Sequence, residues 1–357
     1  MKICFIAPAN SAHIVKWCNY FVSTGHEVHV VSFTEGYLEG VKVHYLQSNV
    51  SASGSDLQKL LYLFYAGRVR KILKDISPDI INVHYATSYG TVAALAGLKP
   101  YILSVWGSDI YEFPQRSVLH RLMLKFSLNR AAVLFSTSQA MADEAQKYTK
   151  KAFEITPFGV DLELFSPLIR DRKDADFVVG TVKSLAPAYG IDTLLKAVSI
   201  LKLEKTDVPI QLRIAGKGPQ EKEYHEMAEQ LNISDITTWL GYISQEKAAK
   251  EWANMDVAVI CSNSESFGVS AVEAQACGCA IVISDVPGLM EATKPDVSSI
   301  VVSRKDERAL ADALYDLYCD RERRAQMGNH GRLYVEQNYE INNCFQKVEH
   351  LFRDIFQ

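Results

Sequence analysis

Short apolar runs alternate with helical patterns along almost the whole of this chain, and that alternation limits the fold more than any single motif does. Runs of roughly four to eight residues that stay apolar on both faces are what strands sandwiched between helices require. In the first half the strand-like runs are Lys2–Ala7, Glu27–Phe33, Val41–Leu46, Asp79–His84, Tyr101–Val105 and Ala131–Ser136, with a short last one at Ala152–Ile155. Helical patterns lie between them, among them His13–Thr24, Asp56–Lys74 and Ser117–Asn129. A polar segment from Ser166 to Asp176, centred on Arg170-Asp-Arg-Lys-Asp174, then interrupts the pattern. Beyond it the alternation restarts with Phe177–Val182, a helix Ile191–Glu204, Gln211–Ala215, a helix Glu221–Leu231 and Ile236–Leu240, and continues to Val302. Strands alternating with helices predict parallel sheets joined by crossovers, so the expected fold is α/β, two doubly wound Rossmann-like domains facing a central cleft. The boundary is placed in the polar segment, giving domains 1–165 and 166–338. A last helical pattern, Tyr339 to Phe356, carries Cys344, Val348, Leu351, Phe352 and Ile355 on one face.

At 357 residues the chain is long enough for two separate cores. Residues 1–165 hold 16 Lys and Arg against 13 Asp and Glu, and the remainder holds 22 against 29, so an overall charge of −4 hides a mildly basic first half. That excess suits an anionic partner, but no nucleic-acid-binding motif accompanies it. The seven cysteines (Cys4, Cys18, Cys261, Cys277, Cys279, Cys319 and Cys344) are odd in number and lie mostly in apolar runs, which reads as reduced thiols in a cytosolic protein. Met1-Lys-Ile-Cys-Phe-Ile-Ala-Pro8 reads as a first buried strand rather than a signal peptide. No run reaches the roughly 18 apolar residues that span a bilayer, so any membrane contact is peripheral. Two segments offer such a surface. Arg116, His120, Arg121, Lys125 and Arg130 alternate with Leu119, Leu122, Met123, Leu124, Phe126 and Leu128, and Asp56–Lys74 mixes Lys59, Arg68, Arg70, Lys71 and Lys74 with Leu60, Leu61, Leu63 and Phe64. Each is a solvated amphipathic helix or an interfacial face for anionic lipid.

The most informative stretch is Glu265-Ser-Phe-Gly-Val-Ser-Ala-Val-Glu273, followed by Ala274-Gln-Ala-Cys-Gly278. It lies between the strand-like runs Val257–Cys261 and Ala280–Ser284. A strand ends, a polar loop turns the chain, a helix starts near Phe267 and runs to Cys277, and Gly278 ends it. Ligands of open α/β sheets bind beyond the carboxyl ends of strands, where helix N-termini offer free N–H groups. Glu265 is therefore expected at the mouth of a crevice, with Glu273 two turns along the same helix. Glu-x7-Glu, with Phe-Gly after the first Glu and Glu-Ala-x-Ala-x-Gly around the second, resembles the retaining nucleotide-sugar glycosyltransferases of family four, which have the GT-B fold. The resemblance extends over nearly the whole chain.

That resemblance implies the following roles. Glu265 hydrogen-bonds donor-sugar hydroxyls or braces developing positive charge, and Glu273 accepts from the ribose hydroxyls. Ser266, Phe267, Gly268 and Val269 offer backbone N–H groups to sugar and phosphate. Leu240-Gly-Tyr-Ile243 resembles the segment that holds the base, with Ile243 against it, and Gly216-Lys-Gly-Pro219 resembles the donor-domain turn, which brings Lys217 near the diphosphate. Many relatives carry Gly-Arg-Leu-x-x-x-Lys-Gly after the domain's first strand, whose cations neutralise the leaving diphosphate. Here the Arg position is Ser184 and the residue before the glycine is Tyr189; Lys183 remains as a substitute, and Ala188 stands where some relatives place a second Lys. In the first domain His13 opens the first helix and is a candidate for the acceptor or phosphate. His84 ends the fourth strand and points at the cleft. In Val105-Trp-Gly-Ser-Asp109, Trp106 replaces a His that many members carry; Trp106 stacks on a sugar or is core, and Asp109 binds an acceptor hydroxyl or caps a helix. The last helix would join the first domain, which binds the acceptor, while 166–338 binds the donor.

The expectation is thus a metal-independent retaining transfer of a hexose or N-acetylhexosamine from a nucleotide sugar, UDP-linked, to a lipid-linked glycan acceptor, with domain closure expelling water. Lys183, Glu265, His84 and Asp109 are the catalytic candidates. No Asp-x-Asp metal site appears in a strand-end loop, and no cofactor besides the donor substrate is expected. Two other readings stay open: a nucleotide-sugar epimerase of similar fold, and a partner subunit that binds nucleotide sugar without turnover.

Overall fold

The apolar runs form strands because each is covered on both faces. In β12 (Ala280–Ser284) and β11 (Val257–Ile260) every residue is buried, which only a central parallel strand sustains. The structure, a computed structural model, describes residues 1–47, 64–167 and 176–355. The first part of the expected helix Asp56–Lys74, with Lys59, Leu60, Leu61 and Leu63, lies outside the described residues, as does Arg170–Asp174 of the polar segment. The rest of that helix is found as Ala66–Ile76.

The described chain divides into two compact units, residues 1–158 with 342–357 and residues 159–341. The first holds a seven-stranded parallel sheet in the order β3 (Val41–Tyr45), β2 (Glu27–Ser32), β1 (Lys2–Ile6), β4 (Ile80–His84), β5 (Ile102–Val105), β6 (Val133–Ser136) and β7 (Phe153–Ile155). The second holds a six-stranded parallel sheet in the order β10 (Thr237–Gly241), β9 (Ile210–Ala215), β8 (Phe177–Val182), β11, β12 and β13 (Ser299–Val302). Both sheets reverse direction of growth beside their first strand, between β1 and β4 and between β8 and β11. This is the doubly wound order, and the reversal leaves a crevice at the carboxyl ends of those strand pairs. The edges are marked by composition: β3 and β10 are only half-buried, with Lys42, His44 and Thr238 taking the outer positions.

The division lies ahead of the expected boundary because residues after Gly159 are already tied to the second unit. The Val160 N–H donates to the Tyr339 carbonyl, and Arg332 Nη1 donates to the carbonyls of both Phe165 (2.8 Å) and Ala276 (2.7 Å). The last helix, Ile341–Ile355, packs in the first unit on helix Ala12–Ser23. Its buried positions are Cys344, Phe345, Val348 and Phe352, so Phe345 joins the expected face, while Leu351 and Ile355 are only half-buried. Phe352 stacks on Phe21 at 5.4 Å and on Phe135 at 6.2 Å, and Phe345 meets Trp17 edge-on. Glu349 accepts from Tyr20 Oη and from His26 Nε2, each at 3.1 Å, closing the polar rim of that contact.

Candidate functional site

In the second unit three strand ends, those of β8, β9 and β10, open into one cavity of about 450 Å³. Lys183, Ser184 and Tyr189 line it from the turn after β8, Gly216 and Lys217 from the turn after β9, Tyr242 and Ile243 from the turn after β10, and Ser270 from a helix start. The turns are stitched together by backbone bonds: the Gly216 N–H donates to the Gly241 carbonyl (2.7 Å), and the Leu185 N–H donates to the Lys217 carbonyl (3.1 Å). Only glycine permits this at 216. Its φ is +142°, and a Cβ there would lie 1.9 Å from the Lys183 carbonyl oxygen.

The expected loop and helix after β11 are present, with a later start. Helix Val269–Ala276 begins two residues beyond Phe267, because Gly268 takes φ +94° as its N-cap and Phe267 turns inward, 2% exposed, to meet Tyr339 edge-on at 5.2 Å. The Ala271 and Val272 N–H groups both donate to the Gly268 carbonyl (2.9 and 3.1 Å), closing the first turn. Ser270 Oγ donates to the Val182 carbonyl (3.0 Å) and fixes that helix start against β8. At the other end Gly278 takes φ +70° and its N–H donates to the Gln275 carbonyl.

Across this junction Lys183 Nζ and Glu265 Oε2 form an ion pair at 2.5 Å, each side chain only 11% exposed. Ser262 Oγ donates to the same Oε2 at 3.3 Å. The ammonium lies 4.6 Å from the centroid of the Tyr189 ring. The loop carrying Glu265 is tied to the turn carrying Tyr189 as well: the Asn263 N–H donates to the Ala188 carbonyl (2.8 Å), and Asn263 Nδ2 donates to the Pro187 carbonyl (2.8 Å). Glu273 is half-buried on the helix that follows. Thus Lys183, Gly216, Lys217 and Ile243 share a cavity, and Glu265 joins them through Lys183. Tyr189, Tyr242 and Ser270 line the same cavity without having been singled out for it. The one signal for Tyr242, 80% exposed, was its place in Leu240-Gly-Tyr-Ile243.

The carboxyl end of the first unit's sheet is aromatic instead. The His13 ring stacks on Phe158 (3.9 Å, 13° between planes) and meets Trp106 edge-on at 5.5 Å. Trp106 Nε1 donates to His84 Nδ1 at 3.2 Å. Burial lowers the pKa of His13 to about 4, with Lys16 adding repulsion, and burial pushes that of His84 down to about 3. Two expectations are corrected here. His84 is fully buried among Phe5, Trp17 and Trp106; accepting from Trp106 on Nδ1 leaves its proton on Nε2, which has no partner among the described residues. Asp109 is fully buried too. Its carboxylate accepts from three backbone N–H groups, those of Ala86 (2.8 Å), Gly107 (2.8 Å) and Trp106 (3.1 Å). Burial raises the Asp109 pKa, and those three hydrogen bonds oppose the rise. So His84 positions the Trp106 indole through Nδ1, and Asp109 clamps the turns after β4 and β5. The clamp also holds Tyr85 at φ +81°, where a bulky residue is strained.

Among the described residues no group of three or more His, Cys, Asp or Glu side chains could hold a metal ion, and no helix is long and apolar enough to cross a membrane. All seven cysteines are unbridged, and only Cys319 is exposed.

A family model described as "Glycosyl transferases group 1" matches residues 169–334, and one described as "Glycosyl transferase 4-like" matches residues 2–138. The D-inositol 3-phosphate glycosyltransferase of Paenarthrobacter aurescens is 30% identical over 286 residues, 72% of this chain and 68% of that protein. Among solved structures, sucrose-phosphate synthase from Thermosynechococcus elongatus superposes with a TM-score of 0.89 at 19% identity, covering 100% of this chain and 99% of its own. Anabaena HepE in complex with UDP and glucose gives 0.79 at 17% identity, covering 99% of each chain. These likenesses show the fold as GT-B.

The burial of neutral His84 makes a measurable pH dependence. Its pKa in the folded chain lies below the ordinary value of 6.5, so the unfolded chain binds the extra proton first, and stability falls as pH drops from 6.5 toward about 3. Between pH 7 and 5, wild type should lose about 2 kcal/mol more stability in urea titrations than His84→Gln, which keeps an acceptor for Trp106. Parallel pH–stability curves for the two proteins would contradict this.

Proposed function

The chain belongs to the group 1 glycosyl transferases, and on that premise we propose that it is a retaining, metal-independent glycosyltransferase that moves a hexose or N-acetylhexosamine from a UDP-sugar to a lipid-linked glycan acceptor. The observation that carries the reading is the cavity at the ends of β8, β9 and β10, where Lys183, Lys217 and a helix start share one opening and Glu265 pairs with Lys183. A diphosphate leaving group gains negative charge as the glycosidic bond breaks, and positive charge placed there in advance lowers the barrier. Lys183 and Lys217 are assigned that task, which leaves the chemistry no need of a divalent cation. Glu265, beside Lys183, takes the donor-sugar hydroxyls and steadies the cationic sugar carbon. Glu273 takes the ribose hydroxyls, and Ile243 packs on the base. The N–H groups of Ser266 through Val269 and the turn at Gly216 face sugar and phosphate. UDP is favoured because HepE, of the same fold, is described in complex with UDP and glucose.

The second unit is thereby the donor-binding domain and the first the acceptor-binding domain. In the first, the Trp106 indole, held by His84 and packed on His13, is assigned to stack on an acceptor sugar, with Asp109 fixing the turn beneath it. Unbridged thiols suit a reducing cytoplasm. Helix Val118–Arg130 presents Val118 (69% exposed), Leu119 (59%) and Leu122 (57%) beside Arg121 and Lys125. Insertion of those three side chains between anionic headgroups, with the cations on phosphate, would bring the enzyme to a lipid-linked acceptor.

Calorimetry without metal, using UDP-, GDP- and ADP-sugars, tests the donor site. Glu273→Ala should weaken nucleotide binding by about ten-fold, the effect of losing charge-assisted hydrogen bonds. Glu265→Ala should bind the nucleotide and lower turnover by about 100-fold or more. Unchanged affinity and activity in both variants would sink the assignment, and binding without turnover on any acceptor would favour a silent partner subunit. The membrane contact is tested separately by co-sedimentation with phosphatidylglycerol vesicles. Wild type should pellet with them and Leu119→Ser/Leu122→Ser should stay in solution; equal behaviour of the two rules the contact out.

A further inference from the structure

The pair Lys183–Glu265 sits where the donor's diphosphate and sugar must both arrive. Its two side chains are only 11% exposed, and the ammonium is held from a second side by the face of Tyr189. An ammonium sheltered in this way needs an anion beside it, because leaving it alone away from water is costly. At present that anion is Glu265. Ser184, which lines the same cavity, is neutral, and its Oγ donates to the Lys217 carbonyl at 3.2 Å. In the turn after β8 the positive charge is that of Lys183, and Glu265 already matches it.

An aromatic ring attracts an ammonium through its face without neutralising it. Tyr189 can thus keep Lys183 in the cavity whichever anion it faces. We infer that Lys183 is an exchangeable cation: Tyr189 anchors its ammonium, an entering diphosphate draws it away from Glu265, and the carboxylate so released takes up the sugar. This rests on the donor-site reading above and deepens it. Recognition of the diphosphate and release of Glu265 become one event, because the Lys183 ammonium cannot fully serve both anions at once, while Lys217 meets the diphosphate from the turn after β9. A nucleoside without phosphate leaves the pair closed. Tyr189 is thus a positioning residue, acting on the diphosphate through Lys183.

The test is calorimetric titration of the whole chain with whichever of UDP, GDP and ADP the wild type prefers, and with the corresponding free nucleoside. Glu265→Gln, which removes the competing charge and keeps the size, should bind the diphosphate about ten-fold tighter, with nucleoside affinity unchanged. Tyr189→Leu should weaken diphosphate binding about three-fold, and Tyr189→Phe, which keeps the ring face, should restore it. Wild-type binding of the diphosphate with no tightening in Glu265→Gln overturns the exchange alone. Failure of wild type to bind any of the three diphosphates overturns the donor-site reading and the exchange with it. If Tyr189→Phe fails to restore what Tyr189→Leu loses, the ring face is not the anchor and the exchange as stated is wrong.

Discussion

Two strands that lie side by side but send their chains to opposite faces of a sheet cannot close the gap at their carboxyl ends, and both units of this protein are organised around such a pair. In the second unit the pair is β8 and β11. The turn after one and the loop after the other diverge, and what they carry meets across the opening: Lys183 from β8 and Glu265 from beyond β11. Hydrogen bonds from Asn263 to the Pro187 and Ala188 carbonyls hold the two loops in register, so the ion pair is set by backbone contacts and not by the charges alone. A mobile surface pair contributes little, whereas one fixed and sheltered in this way sets the local field.

The first unit repeats the topology with different chemistry. Its reversal lies between β1 and β4, and the side chains brought to that end are rings: His13 on Phe158, Trp106 on His13, His84 beneath Trp106. The carboxylate among them, Asp109, is buried and accepts from three backbone N–H groups. An end lined with charge suits a phosphorylated ligand, and one lined with ring faces and edges suits a sugar. The same fold, repeated, thus supplies two kinds of surface through the few residues at its strand ends.

Much of this was legible in the chain itself. Continuous apolar runs such as Ala280–Ser284 announce central parallel strands, and the stretch from Glu265 to Gly278 announces strand, loop and helix in that order. What periodicity does not carry is which side chains converge. His84 and Asp109 stand at strand ends, where exposure is the natural expectation, but three amides from two different turns close on Asp109, and three aromatic rings from separate elements enclose His84. Helix Val269–Ala276 starts late because Phe267 has a partner, Tyr339, some seventy residues away. The role of Tyr189 was hidden for a similar reason. Its spacing announces no cation partner, and the contact of its ring with the Lys183 ammonium is visible only in the folded chain.

The central claim is that the crevice at the carboxyl ends of β8, β9, β10 and β11 receives the nucleotide. Hydrogen–deuterium exchange with and without UDP tests it most directly, since it reports where a ligand slows the opening of backbone amides. The account predicts slowed exchange in residues 183–190, 216–217, 242–243 and 265–273. Unaltered exchange in those four segments, with slowing instead at residues 84–109, would contradict it.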